Sequence, residues 1–418
     1  MGVVAETVQA ASIPEMATGN RSRVAGASER VPELDGLRGL AILLVILCHY
    51  ISNSRGGTSL PFAYFSRMFS LGWSGVDLFF VLSGFLIGGI LLDARAAPNY
   101  FRAFYVRRVH RILPVYYVWI SLFALTSFLL LRFSPEVVEA THLQSPMPVA
   151  YYYLFFQNLV SATYVGLAWY WISITWSLAV EEQFYLITPP LIRFLSPRRL
   201  TSVLIAVVVL APVVRYFAVT SWPGGREAAY ILLPCRADSL ALGILATVAW
   251  RTPRVKQWLA AHLRLLRFAL LALFSGLLVL LKWYPTPYHL LTQTLGFSWL
   301  AWFYACLMLL ALLATESWAA RLFRFRPLRE LGTVSYCVYL IHFLVLAACH
   351  RLILGSAPSY GDLPGAGVTL LAFTLTIGIA KLSWKYFEQP LLRRGQACSY
   401  WPARQAADVG LVAPKAAT

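Results

Sequence analysis

Acidic residues are scarce in this 418-residue chain. Eighteen Asp and Glu stand against 35 Lys and Arg, and charged residues of both signs amount to only 13%. A chain with so little charge and 59% aliphatic and aromatic residues lies outside the range of soluble globular proteins. It lies among helical proteins that cross a bilayer many times. The six cysteines, Cys48, Cys235, Cys306, Cys337, Cys349 and Cys398, show no CxxC pair and no zinc-ligand spacing. Neither a disulfide framework nor a metal site is expected. Residues 1–32 hold no apolar run long enough for a signal-peptide core, and that stretch, with Arg21, Arg23 and Arg30, is expected to be a disordered cytoplasmic tail. Internal repeats, long low-complexity segments and an appended soluble domain are also missing. The net charge of +17 would suggest nucleic acid as the partner of a soluble protein. Here the basic residues flank apolar runs, so membrane topology accounts for them and no nucleic-acid partner is expected.

Apolar length predicts about ten spans, over 37–52, 72–92, 104–131, 174–195, 199–219, 231–250, 265–283, 292–314, 333–353 and 365–386. They form one transmembrane domain over 33–395, followed by a cytoplasmic C-terminal tail over 396–418. An even number of spans puts both termini on one side. With that side cytoplasmic, roughly three quarters of the basic residues fall in inner segments, as the positive-inside bias requires. A multi-pass protein of the cell's inner (plasma) membrane follows.

Polar residues inside apolar runs carry the functional information, because an ionisable group at mid-bilayer costs about 2.5 to 3.5 kcal/mol on insertion scales. In the first span Arg38 and His49 bracket nine apolar residues, Leu40 to Cys48. On a helix they stand about 16 Å apart, roughly half the hydrocarbon thickness. The second span places Asp77 and Ser83 among bulky apolar residues beside Gly84, Gly88 and Gly89, which permit close helix approach. Asp77 is expected to pair with a buried arginine such as Arg236 or to orient His49. Arg107, Arg108 and Arg111 are spaced to bring guanidiniums together on one side of a helix, where they suit a phosphate-rich ligand or lipid headgroups. In the fourth span Glu181, Glu182 and Gln183 fall within one turn, and only one Glu can face a given cavity. Arg236 and Asp238 are expected to pair with each other or with Asp77. Tyr336, Tyr339 and His342 line one side of the ninth span, in keeping with core packing around a satisfied histidine. The outer segment over about 132–173 is rich in aromatics, including Tyr151, Tyr152, Tyr153, Phe155, Phe156, Tyr164, Trp169, Tyr170 and Trp171. It reads as an interfacial belt or as a platform on which sugar rings stack.

Six motifs taken together resemble the acyltransferase 3 family of membrane O-acyltransferases. They are Arg-x10-His from Arg38 to His49; Gly-Val-Asp-Leu-Phe-Phe-Val-Leu-Ser-Gly-Phe-Leu-Ile at 75–87; Arg-Arg-x-x-Arg at 107–111; Trp-Ser-Leu-Ala-Val-Glu-Glu-Gln-Phe-Tyr at 176–185; Ser-Tyr-x-x-Tyr-Leu-x-His at 335–342; and Tyr-Phe-Glu-Gln-Pro at 386–390. The resemblance implies a ten-helix protein that moves an acyl group, favouring acetyl, from cytoplasmic acyl-CoA to a hydroxyl of a carbohydrate, glycolipid or secondary metabolite. It needs no metal. Arg38, Arg107, Arg108 and Arg111 would hold the donor. His49 would be the general base, Glu181 would orient it or bind the acceptor, and Ser83 with nearby glycine backbone would stabilise the oxyanion. Asp77, Glu182, Tyr185, Arg236, Tyr336 and His342 are the expected substrate-binding set. Some members carry a fused esterase-like domain, and none is expected here. The alternative is a proton-coupled transporter or flippase of a lipid-linked glycan, relaying protons through His49, Asp77 and Glu181. That alternative calls for inverted-repeat symmetry, and the sequence offers none.

Overall fold

A computed structural model describes residues 31–52, 60–133, 147–165 and 172–401. The expected N-terminal tail, most of the C-terminal tail and Trp169, Tyr170 and Trp171 lie outside them, as does the side chain of Tyr164. The described residues form helices and no β-strand. Ten long helices correspond one to one with the expected spans: α1 Pro32–Leu47, α2 Gly75–Asp93, α3 Tyr100–Phe133, α4 Trp176–Phe194, α5 Pro197–Ser221, α6 Leu233–Arg251, α7 Leu263–Trp283, α8 Phe297–Leu313, α9 Arg326–Leu354 and α10 Leu363–Ser383. Among the described residues nine helices are long and apolar enough to cross a membrane, one fewer than expected. The exception is α4. Its 19 residues span about 28 Å, but Glu181, Glu182 and Arg193 make it too polar by composition.

Helix starts follow local chemistry. Proline occupies the first turn of α1, α5, α6, α9 and α10, where its missing N–H costs nothing. Side-chain caps come from Ser196 and Asp362. At the far end of α9, Gly355 adopts the left-handed conformation that terminates a helix.

Helix α2 lies at the centre, with 78% of its most apolar window buried against protein, whereas α7 buries 6% and turns Phe268, Leu271 and Leu278 outward as a lipid-facing helix would. Around α1 the backbones touch. A Cβ on Gly36 would lie 1.9 Å from the Phe323 carbonyl oxygen, and one on Gly332 of α9 would lie 1.9 Å from that of Asp35. In the second motif, Gly84 meets the Leu240 carbonyl oxygen of α6 at 2.0 Å by the same measure. The glycines of these motifs therefore set helix spacing, as small residues do where lipid supplies no hydrophobic drive for association.

The described part of the outer segment is held down by side chains rather than laid open. Tyr116 and Tyr117 of α3 donate to the carbonyls of Tyr152 and Tyr153, and Tyr116 stacks on Phe155 at 4.5 Å between centroids. Gln183 and Asn158 exchange reciprocal amide hydrogen bonds of 2.9 and 3.3 Å. Gln183 also donates to the carbonyl of Phe155, which holds a left-handed φ of 56°. Tyr152 and Phe155 are buried; Tyr151 and Phe156 remain exposed. Packing thus absorbs two of these aromatics, half-buries Tyr153 and leaves two on the surface.

Candidate active site

Beyond Leu47, α1 widens into a π-helical turn, Cys48–Ser52, the kind of local bulge that recurs at functional sites. It carries His49, whose ring Nδ1 lies 2.8 Å from Nε2 of His342 on α9. The two rings stack at 5.0 Å between centroids, and Phe343 packs on His49 at 4.3 Å. His342 is fully buried, and its Nδ1 contacts the carbonyl oxygens of Tyr339 at 2.7 Å and Val338 at 3.2 Å. Tyr50 fixes the same stretch by donating to the His342 carbonyl and bonding Thr376 of α10, each at 3.0 Å. The sequence expected Glu181 or Asp77 to orient the imidazole, but its Nδ1 goes to His342. A histidine pairing across helices gives no periodic signal, so the sequence read His342 as core packing and, from the family resemblance, as a substrate-binding residue, not as the partner of His49.

Asp77 is engaged elsewhere. Its carboxylate accepts from Arg236 at 2.7 Å and from Ser239 at 3.3 Å, with both charged side chains almost completely buried. The Arg236 guanidinium lies 3.9 Å from the centroid of the Phe297 ring, with Trp176 and Tyr230 also beside it. Asp238 pairs instead with Arg215, at 2.9 Å. Arg215 also donates to the carbonyl of Cys235 at 2.6 Å and to Ser298 at 2.6 Å. The sequence reading passed over Arg215. It is the only charged residue of α5 beyond the helix's opening turn, and the criterion that picked out Asp77 would have found it.

A second polar cluster joins α1, α2, α3 and α4. Tyr185 donates to Glu181 at 3.2 Å and shares a 2.7 Å hydrogen bond with Ser83. The positive charges of Arg111 and Arg108 reach Glu181, and Arg38 feels the charges of both. Arg108 lies 5.9 Å from the Tyr185 ring centroid, and its Nε, like Oε1 of Glu182, is buried with no hydrogen-bond partner among the described residues. Arg38, Arg108 and Arg111 thus lie within reach of one another's charge, and Arg38 also pairs with Asp35 at 3.3 Å. Arg107 does not join them. Its Nε donates to the Cys398 carbonyl at 2.9 Å, and its guanidinium lies over Tyr400 at 4.9 Å. Asn99 pins the same C-terminal strand from both sides, through the Ser399 carbonyl and the Trp401 amide. Burial raises the Tyr400 hydroxyl above the ordinary tyrosine range, against the opposing charges of Arg107 and Arg108. Tyr336 donates to the carbonyl of Ile112 at 3.0 Å, tying α9 to α3 one residue beyond Arg111.

Ser83 is committed to Tyr185, and Gly84 packs its α-carbon face on α6, so this stretch serves the α2–α6 and α2–α4 contacts. The Glu388 of the last motif, which the sequence did not single out as a site residue, is buried on a π-helical turn, accepts from Ser383 at 3.0 Å and feels the charge of Arg111. The histidine pair and the carboxylate of the guanidinium cluster both border Tyr339, whose ring lies 6.0 Å from that of His342 and whose hydroxyl is within reach of the Glu181 charge. That hydroxyl donates to the Ile174 carbonyl at 2.9 Å and bonds Ser177 of α4 at 2.8 Å.

A family profile described as an acyltransferase domain matches residues 31–384. The chain is 28% identical over 390 residues to the peptidoglycan O-acetyltransferase OatA of Listeria monocytogenes, covering 87% of this chain and 56% of that protein. It is 29% identical over 373 residues to the putative peptidoglycan O-acetyltransferase YrhL of Bacillus subtilis, covering 87% and 55%. With a putative O-acetyltransferase of Staphylococcus aureus it shares 25% identity over 402 residues, covering 89% and 59%. The chain therefore spans a little over half the length of these relatives. No solved structure matches. A profile match running from the first described turn to the end of α10, over the same residues that build the polar interior, makes this multi-pass helical chain a member of the acyltransferase 3 family.

Proposed function

We propose that this chain is a membrane O-acyltransferase that takes an acetyl group from cytoplasmic acetyl-CoA and places it on a hydroxyl of a glycan at the opposite face. The observation that carries the reading is the pairing of a cation cluster with an imidazole at different depths of one interior. Arg38 and His49 stand about 16 Å apart on the same helix, and Arg108 and Arg111 share the charge environment of Arg38. Three guanidiniums at one end suit the diphosphate and phosphate of coenzyme A, since each can fork two hydrogen bonds onto phosphate oxygens. The relatives named as peptidoglycan O-acetyltransferases support a carbohydrate acceptor. A cytoplasmic position for both termini agrees with the basic residues at the Arg38–Arg111 end. The inner (plasma) membrane is the corresponding location.

In the reaction, His49 is the general base. The acceptor hydroxyl oxygen attacks the thioester carbonyl while its proton passes to His49. The carbon–sulfur bond then breaks, and His49 returns the proton to the departing sulfur, leaving an ester and free coenzyme A. Glu181 and Tyr185 line the path between the two ends. The test uses membranes holding the full chain, radiolabelled acetyl-CoA and chitooligosaccharide or peptidoglycan fragments as acceptors. The His49→Ala variant is expected to insert and fold but to lose about 10²-fold or more of acetyl transfer. Wild-type turnover in that variant refutes the proposal.

A further inference from the structure

A buried pair of imidazoles leaves few ways to place its hydrogens. Nδ1 of His342 faces two backbone carbonyl oxygens, of Tyr339 at 2.7 Å and Val338 at 3.2 Å. A carbonyl oxygen only accepts, so Nδ1 of His342 must carry a hydrogen. In the neutral ring the other nitrogen, Nε2, then holds a lone pair. That nitrogen lies 2.8 Å from Nδ1 of His49, a contact that requires one hydrogen between them. The hydrogen must sit on His49 Nδ1. A neutral imidazole protonated at Nδ1 has its lone pair on Nε2, on the opposite side of the ring.

We infer that His342 is a positioning residue: it locks His49 in the Nδ1–H tautomer and so directs the basic Nε2 toward the reacting hydroxyl. This rests on the reading of His49 as the base. The fold holds the orienter as firmly as an orienter needs to be held. Tyr50, the residue after His49, donates to the carbonyl of His342 itself, and Thr376 of α10 bonds Tyr50 in turn. Three helices, α1, α9 and α10, therefore share one hydrogen-bonded array around the pair. His342 is wholly buried and His49 only partly, as befits an inner residue that orients and an outer one that reacts. The charge that develops is also provided for. When His49 takes a proton at Nε2, its Nδ1–H becomes a charge-assisted donor to His342. The Nδ1–H of His342 already points at two carbonyl dipoles that stabilise positive charge on the second ring. Carboxylates play this part in other base–orienter pairs, whereas here a neutral imidazole backed by helix carbonyls does so.

The tautomer can be read directly. Full-length protein labelled with 15N-histidine in lipid nanodiscs, with His49→Asn used to assign the signal, is expected to show His49 protonated at Nδ1 and unprotonated at Nε2. A wild-type spectrum with Nε2 protonated overturns the inference, whatever the activity. In His342→Gln the side-chain oxygen can still accept from Nδ1, so kcat with acetyl-CoA and chitooligosaccharide is expected to stay within about tenfold of wild type. In His342→Phe the acceptor is gone. The His49 tautomer is expected to redistribute, and kcat to fall about 10²-fold or more while KM for acetyl-CoA changes less than about threefold. A purely structural role would lower both variants together or leave the tautomer unmoved, and either result overturns the inference. The wild-type spectrum decides the matter even if neither variant folds. Undiminished turnover in His49→Ala would remove the base reading, while the spectrum still reports whether His342 sets the tautomer.

Discussion

Removing one member of the Asp77–Arg236 pair should cost far more than removing both. The two side chains are about 1% exposed or less, with nitrogen and oxygen 2.7 Å apart. With charge centres about 4 Å apart and an effective dielectric near 20, the attraction is about 4 kcal/mol. That figure agrees with the 3–5 kcal/mol lost when a buried pair is broken from one side. The asymmetry arises because Asp77→Leu strands a guanidinium among Phe297, Trp176 and Tyr230, where it has ring faces but no counter-charge. Arg236→Met strands a carboxylate beside Ser239. The double variant Asp77→Leu with Arg236→Met leaves neither charge, and replacing a buried pair by apolar side chains is often close to neutral. Each single variant is therefore expected to lose about 3–5 kcal/mol and the double less than about 2, a coupling of several kcal/mol. The assay can use the protein's own thiols. Five of the six cysteines are buried, so a thiol-reactive dye reports unfolding in detergent as they become accessible. Additive losses in the double variant would refute the account of Asp77 and Arg236 as a structural pair.

Arg108→Ala and Arg111→Ala are expected to raise KM for acetyl-CoA at least about tenfold, with the effect shrinking at high salt, while Arg107→Ala changes it less than about threefold. Arg107 is already occupied by Cys398 and Tyr400, so equal effects in all three variants would contradict the geometry. Asn158→Ala breaks the reciprocal bond with Gln183 and a 3.1 Å donation to the Ile231 carbonyl. It should destabilise by about 1–3 kcal/mol and speed proteolysis within 147–165. An unchanged cleavage rate there would show that the clamp is not what holds the segment.

Apolar length located the ten long helices: nine sit in apolar runs long enough to cross a bilayer, and α4 keeps apolar residues on either side of Glu181 and Glu182. The exclusion of α4 from the apolar set has the same cause as its interest: Glu181 and Glu182 cost hydropathy. Charge placement brought Arg38, Arg108 and Arg111 together on paper and in space, since arginines near helix ends are forced to one membrane face. Pairings across helices were legible only as alternatives. Asp77 had two candidate partners and took Arg236; Asp238 took Arg215, on a helix in which the sequence pointed to no pairing residue. His342 was indistinguishable from a core histidine, because what makes it matter is the register between α1 and α9, and no local pattern encodes that.

That register depends on two glycines. His49 and His342 lie roughly 25 Å from the N-terminal ends of their helices, so their rings meet only if α1 and α9 run close together. Gly39 and Gly332 allow it, each with space for no Cβ: 1.9 Å to the carbonyl oxygens of Leu328 and Asp35 respectively, while Gly36 packs as closely on the Phe323 carbonyl in the short helix Trp318–Arg324 that precedes α9. An alanine at 332 would force the helices apart by more than about 1 Å, because interiors packed at crystal density transmit displacement instead of absorbing it. A hydrogen bond of 2.8 Å does not survive such a shift. Gly332→Ala should therefore lower kcat by about the same factor as His342→Phe, though it lies ten residues from the imidazole and meets backbone rather than any polar side chain. Restoring space opposite it cannot help, because the obstacle is the Asp35 backbone carbonyl rather than a side chain. Wild-type kcat in a folded Gly332→Ala protein would show that the histidine pair tolerates separation, and would remove the link drawn here between helix packing and tautomer.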